Sequence, residues 1–275
     1  MPFKLHVISD TYYLPNEPEE AYDIPPEADI VILNGNIAKG WIKRGFMYAY
    51  SLANKHPDVQ FVYNLGEGEL YYLQVNKYDY EVEDNILIRM NNDVTWPKNL
   101  HWKHPKDPNG MLIELRSGYT VDVFTAYGFP KIHKYEGDWE NTNWFQNYAV
   151  STLMVHKENL LEYKDKPTDT SEVAHGHTPI WATPEWINEQ HVTEHQLVKN
   201  WELNLKHCPI LVTHLNPYND PRFANCTTSP YRIHLHNGTW VTAMSRVKGV
   251  NFLGAKLYSN PGRGESIRSE CIEIY

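Results

Sequence analysis

The stretch Ile30-Val31-Ile32-Leu33-Asn34-Gly35-Asn36 constrains this chain more than any other. Four consecutive apolar residues, three of them β-branched, stop at a small polar turn. That pattern predicts a strand buried on both faces, with its carboxyl end opening into a site. A helical run from Lys39 to His56 follows. The unit is strand–turn–helix, as in open α/β sheets that hold ligands at their strand ends. Four other segments repeat the device. Lys4–Ile8 ends in Ser9-Asp10, and Gln60–Tyr63 leads into Gly66-Glu67-Gly68-Glu69. Pro209–Val212 ends in Thr213-His214, and Tyr231–Ile233 in His234-Leu235-His236.

These blocks run from Asp10 to about Arg263 in a chain of 275 residues, which favours one domain over 1–275 with a variable insert around 128–182. A hydrophobic fraction of 41% suffices for a core, and no apolar run approaches a membrane span. Met1-Pro2-Phe3-Lys4 goes straight into the first strand, so no signal peptide is expected. Three cysteines, Cys208, Cys226 and Cys271, share no metal-type spacing and suit a reducing, cytoplasmic setting. A net charge of −9 argues against non-specific binding to duplex nucleic acid, which needs a basic surface. The 19 Tyr, 9 Trp and 14 His are abundant. Aromatics in such numbers fill cores and also offer stacking faces for bases or sugars.

In their order and spacing the five blocks resemble the calcineurin-like metallophosphoesterases. That family places metal ligands in D-x-H, G-D, G-N-H-E, T-H-x-x-P and G-H-x-H elements, over nearly the whole length covered here. The resemblance implies an α/β fold: a two-sheet β-sandwich flanked by helices, four layers in the order α/β/β/α. The identities depart from the pattern at most ligand positions. The first block reads Asp10-Thr11-Tyr12, so Tyr12 replaces a histidine. A neutral phenol is a poor ligand at pH 7 but donates a hydrogen bond or stacks on a ligand, unless it only fills the space of a lost metal. Asn36 stands where the family has an aspartate bridging two metals. An amide brings one carbonyl oxygen and no charge to offset the repulsion of two cations.

In the third block Glu67 falls on a metal-binding asparagine and Gly68 on the histidine that works as general acid. Thr213-His214-Leu215-Asn216-Pro217 survives intact, and His236 matches one metal histidine while Gly238 replaces another. The position of the first ion therefore keeps only Asp10 as a good ligand. The second keeps Asn36, Glu67, His214 and His236, a two-His, one-carboxylate set with an amide that suits one divalent ion of the Mn, Zn or Fe class. The competing reading is that Glu67 only caps its turn or accepts backbone hydrogen bonds. Beyond the last block, Arg263 in Asn260-Pro261-Gly262-Arg263-Gly264 is either a phosphate partner, by its guanidinium fork, or a surface arginine.

Five other segments carry expectations. Asn91–Lys106 interleaves Trp96, Lys98, His101, Trp102, Lys103 and His104, and reads as a solvated loop with tucked aromatics rather than a nucleic-acid grip. Met111–Leu115 and Tyr119–Tyr127 read as a hairpin around Ser117-Gly118, and a helix is expected near Asn147–Glu162. His175-Gly176-His177 looks like the family's histidine element but precedes the long helix instead of following the T-H-x-x-P strand. That helix opens at Thr183-Pro184, runs to about Lys206, and carries His191 and His195 as a solvated pair.

The departures imply a kept fold without the standard chemistry. One expectation is a protein that binds, and sequesters, a nucleotide or other phosphorylated small molecule through Asp10, Tyr12, Asn36, Glu67, His214, His234, His236 and Arg263, with no cofactor. Such sequestration would suit a virus or mobile element countering a host signal. The alternatives are a phosphodiesterase or phosphatase with one metal, and an interaction protein with a vestigial pocket.

Overall fold

The computed structural model describes residues 2–11, 24–37, 42–66, 69, 96–135, 184–215, 226–229, 233, 235, 237–243, 248–252, 254–259 and 271–274. These residues form an α/β structure with two mixed sheets. The first sheet comprises Phe3–Ile8 (β1), Ile30–Asn34 (β2), Gln60–Asn64 (β3), Leu100–Trp102 (β4) and Ile272–Ile274 (β13), in the order β13-β1-β2-β3-β4. β1 to β4 are parallel and β13 is antiparallel at the edge. The second sheet comprises Met111–Glu114 (β5), Thr120–Ala126 (β6), Cys208–Thr213 (β8), Thr239–Thr242 (β10), Lys248–Phe252 (β11) and Ala255–Ser259 (β12). Its order is β11-β12-β10-β8-β6-β5, with parallel strands inside and an antiparallel strand at each edge. Lys131–Tyr135 (β7) pairs with Cys226–Ser229 (β9) in a separate ribbon. Two described helices, Ile42–Lys55 (α1) and Pro184–Glu202 (α2), accompany the sheets.

Period-2 alternation sorts the apolar residues into layers. Ile30 and Ile32 of β2 and Val62 of β3 meet Val121 and Val123 of β6 and Ile210 and Val212 of β8, in one cluster shared by both sheets. The residues between them in sequence, Val31, Leu33, Phe61 and Tyr63, pack with Phe46, Ala49 and Leu52 of α1. Those helical residues recur at i, i+3 and i+6, which makes one face. On the second sheet Phe124 and Leu211 turn the other way and meet Val198 and Trp201 of α2. Each fully buried Ile, Val or Leu here contributes about 1.5–3 kcal/mol, and β2, buried along its whole length, explains its unbroken apolar run.

Most strand expectations agree with the structure, including the hairpin of β5 and β6. Three expectations are corrected. Leu100–Trp102 is not loop but the edge strand β4, since Trp102 meets Phe46 of α1 edge-on at 5.3 Å and is thereby drawn under the helix. Ile233 is buried but lies outside any strand. The strand beside β8 begins only at Thr239, after the turn at Asn237, where φ is 56°. α2 ends at Glu202 rather than Lys206, where turn-type hydrogen bonds from Asn204 N–H to Trp201 C=O and Leu205 N–H to Glu202 C=O take over. The segments 147–162, 175–179 and 260–264 lie outside the described residues. No described helix is long and apolar enough to cross a membrane.

Candidate functional site at the strand ends

The alternation that builds the core also aims the first polar residue after each strand. Asn34 ends β2 on the inward-facing parity of Ile30 and Ile32, and Asn64 ends β3 on that of Val62. Asn34 Nδ2 donates across the sheets to the Thr213 carbonyl at 3.0 Å, and Asn64 Nδ2 donates to Asn34 Oδ1 at 2.8 Å and to the Ala126 carbonyl at 3.0 Å. The carboxyl ends of β2, β3, β6 and β8 are thus stitched together by two buried, hydrogen-bonded amides.

The chain then turns sharply. Gly35 (φ 78°) and Asn36 (φ 53°) are consecutive left-handed residues, a conformation that glycine and asparagine tolerate best. A Cβ on Gly35 would stand 2.5 Å from His214 Nδ1 and 2.6 Å from Gly66 Cα, so close approach requires glycine there as well. One carboxylate holds this turn to the next. Glu69 Oε2 accepts the backbone N–H of Asn36 and of Gly66, both at 2.9 Å, and Oε1 accepts the N–H of Ile37 and the Tyr63 hydroxyl at 3.1 Å. The glycine at position 45 of α1 leaves room for that hydroxyl. Glu69 thus accepts backbone hydrogen bonds of the kind weighed for Glu67.

Inside this frame Asp10, Asn36 and His214 converge, all buried. Asn36 Nδ2 donates to Asp10 Oδ1 at 2.8 Å and lies 3.2 Å from His214 Nε2. His214 Nδ1 lies 2.7 Å from the Asn34 carbonyl oxygen, which only accepts, so Nδ1 carries the proton. In that tautomer Nε2 presents a lone pair. Asp10 Oδ1 is an acceptor too, so the Asn36 atom facing both is the NH₂ group. Its two hydrogens point at a carboxylate oxygen and an imidazole lone pair, which are 3.8 Å apart.

On the second sheet the Thr213 hydroxyl donates to the Leu215 carbonyl at 2.8 Å and accepts from Trp240 Nε1 at 2.9 Å, which fixes the strand end that carries His214. Tyr127 lies parallel to the His214 ring, with centroids 5.8 Å apart. Its turn is held from α2: the Glu194 carboxylate accepts the N–H groups of Tyr127, Gly128 and Phe129 at 2.8–3.1 Å. His191, one turn away, is buried and bonds through Nδ1 to the Phe129 carbonyl at 2.7 Å. It is therefore not the solvated residue expected from sequence, because α2 packs this face onto the turn. Burial lowers its pKa first, and nearby Lys131 and His133 lower it further. Lys103 is also buried, bonded to the His104 and Asp107 carbonyls with its ammonium over the Phe124 ring. Desolvation brings its pKa down to about 8, against the opposing charges of Asp107 and Glu194.

Of the residues singled out in the sequence, the structure brings Asp10, Asn36 and His214 together. Tyr12, Glu67, His234, His236 and Arg263 lie outside the described residues. Sequence reasoning passed over Glu69, Asn34, Asn64, Tyr127 and Glu194. Two of these left a signal: Asn34 and Asn64 end apolar strands in matching positions. Among the described residues no group of three or more His, Cys, Asp or Glu is placed to hold a metal ion. Of the expected metal set only Asn36 and His214 are described, and it is the Asn36 NH₂ group, which cannot coordinate a cation, that faces Asp10 Oδ1 and His214 Nε2. No family model, no curated protein and no solved structure matches this chain.

Proposed function

We propose that this chain is a catalytically degenerate protein of the metallophosphoesterase-like, four-layer α/β/β/α type, binding a nucleotide or other phosphorylated small molecule without hydrolysing it. The observation that carries the reading is the Asn36 amide between Asp10 and His214. Hydrolysis by a two-metal centre depends on a metal-activated nucleophile and on charge stabilisation by both ions. With the bridging aspartate replaced by a hydrogen-bond donor and the general acid replaced by Gly68, that chemistry has no support. The position of the site favours binding, since ligands of parallel sheets collect outside the carboxyl ends of the strands. Tyr12, His234, His236 and Arg263 are the proposed stacking and phosphate contacts.

A thermal-shift series with nucleotides and sugar phosphates tests this reading. A ligand at 100 times its Kd stabilises the folded state by about 2.7 kcal/mol, and phosphorus NMR of the same sample should find it intact. Melting temperatures unmoved by every phosphorylated compound would leave a vestigial pocket instead.

A second reading, a phosphodiesterase or phosphatase with one metal, has one observation in its favour. The separations of 2.8, 3.2 and 3.8 Å among the Asn36, Asp10 and His214 atoms resemble those between ligands of one ion, about 3 Å for metal–oxygen bonds near 2.1 Å. That reading needs the amide turned over, with its oxygen inward. Metal-dependent turnover lost in His214→Ala and Glu67→Ala would establish it.

A further inference from the structure

We infer that the Asn36 side chain is a built-in substitute for a cation that keeps divalent metal out of the strand-end centre. The inference deepens the reading of the same site, and rests on it for the position of Asn36 in the family pattern.

Three observations carry it. The first is donor direction. His214 Nδ1 donates to the Asn34 carbonyl, and the Asn36 NH₂ group facing Nε2 can only donate, so in the neutral ring Nε2 accepts from it as Asp10 Oδ1 does, and the NH₂ satisfies both together. A metal ion would satisfy the same two lone pairs, and amide hydrogens cannot coordinate it. The second is confinement. A Cβ on Gly66 would stand 2.6 Å from Asn36 N and 2.7 Å from Asn36 Oδ1, so the amide is wedged between the Gly66 backbone on one side and Asp10 and His214 on the other. Its own backbone N–H is held by Glu69. The third is cost. Turning the amide over would set its oxygen 2.8 Å from a carboxylate oxygen and 3.2 Å from the His214 lone pair, replacing two attractions by two repulsions inside a buried site. A cation entering the wild-type site must first offset that loss.

Asn36→Asp should reverse the exclusion. Aspartate also tolerates the left-handed backbone found at this position. It would set a second carboxylate beside that of Asp10, and with His214 make two carboxylates and an imidazole converging on one point. Ligand charge is a main determinant of divalent-ion affinity.

The test titrates the full-length wild type and Asn36→Asp with Mn²⁺, and follows the imidazole ¹⁵N signals of His214 during titration with Zn²⁺. The wild type should keep a protonated Nδ1 and a hydrogen-bonded Nε2 with no change on adding Zn²⁺. Asn36→Asp should gain one equivalent of Mn²⁺, bound at least about tenfold more tightly than by the wild type, and the gain should vanish in Asn36→Asp/His214→Ala. It should also melt lower than wild type in chelator and recover with Mn²⁺. A Zn²⁺-induced shift at His214 Nε2 of the wild type would overturn the inference, and so would a folded Asn36→Asp with no gain in Mn²⁺ affinity. If Asn36→Asp does not fold, the wild-type ¹⁵N signals still decide the matter. Failure of every phosphorylated compound to bind the wild type would defeat the binding reading and leave this inference standing.

Discussion

Two buried carboxylates clasp turns around the candidate site, one in each half of the molecule, and they do so differently. Glu69 ties together two turns that follow neighbouring strands, taking N–H groups from Asn36, Ile37 and Gly66 and the hydroxyl of Tyr63. Glu194 reaches from α2 to one turn, taking three successive N–H groups, with the Lys103 ammonium as a favourable charge nearby. The first clasp closes entirely within one sheet and orients Asn36. The second anchors a helix and sets Tyr127 against His214. One fixes the chemistry of the centre, and the other fixes how the second half is docked against it.

The comparison predicts unequal losses. Glu69→Ala strands three backbone donors and a phenol in the core and should cost about 3–5 kcal/mol in urea unfolding. Glu69→Gln, which keeps one acceptor oxygen but sets an NH₂ group against the other two donors, should cost less than Glu69→Ala but still a measurable amount. A loss under about 1 kcal/mol for Glu69→Ala would mean the clasp is decorative. Glu194→Ala should cost about 2–3 kcal/mol, because the half-exposed Gly128 N–H can turn to water. It should also drop the Lys103 pKa below about 8, since Glu194 holds it up. An NMR titration of Lys103 that moves upward would break the pairing of clasp and cation. Gly66→Ala forces a methyl against the Asn36 amide and should cost about 1–3 kcal/mol, with its largest chemical-shift changes at His214.

The smallest effect concerns pH and the edge of the first sheet. His101, bonded to Gln60 at 2.7 Å, has its pKa lowered by burial from 6.5 to about 4. Between those values the unfolded chain takes up a proton that the folded one refuses, so stability falls as pH drops from 6.5 to about 4 and levels off below. His191, also lowered, adds in the same direction. Urea midpoints for His101→Gln should depend less steeply on pH over that window than those of the wild type.

The frame of the site was legible because each of its strands is a short apolar run stopped by a polar residue. β2 shows this most clearly, and the resemblance in motif order singled out Asp10, Asn36 and His214, which meet across the two sheets. What could not be read was which polar side chain bonds to backbone and which faces the site. Glu67 and Glu69 have the same chemistry two residues apart, and nothing in the sequence marks Glu69 as the residue that accepts the N–H groups of Asn36, Ile37 and Gly66. Glu194 was hidden for another reason. Its partners lie 65–67 residues earlier in sequence, and a lone glutamate in a helix carries no sign of a distant turn. Lys103 and His191 looked solvated because polar residues usually are. Their burial is imposed by tertiary packing, by Phe124 beneath one and the Phe129 carbonyl above the other.

The most direct test of the central claim is the divalent metal content of the wild-type protein after purification without chelator, compared with that of His214→Ala. An amide in the place of a cation predicts far less than one equivalent of metal in both. One equivalent of manganese, zinc or iron in the wild type, lost in His214→Ala, would contradict the account and put a metal at the strand ends after all.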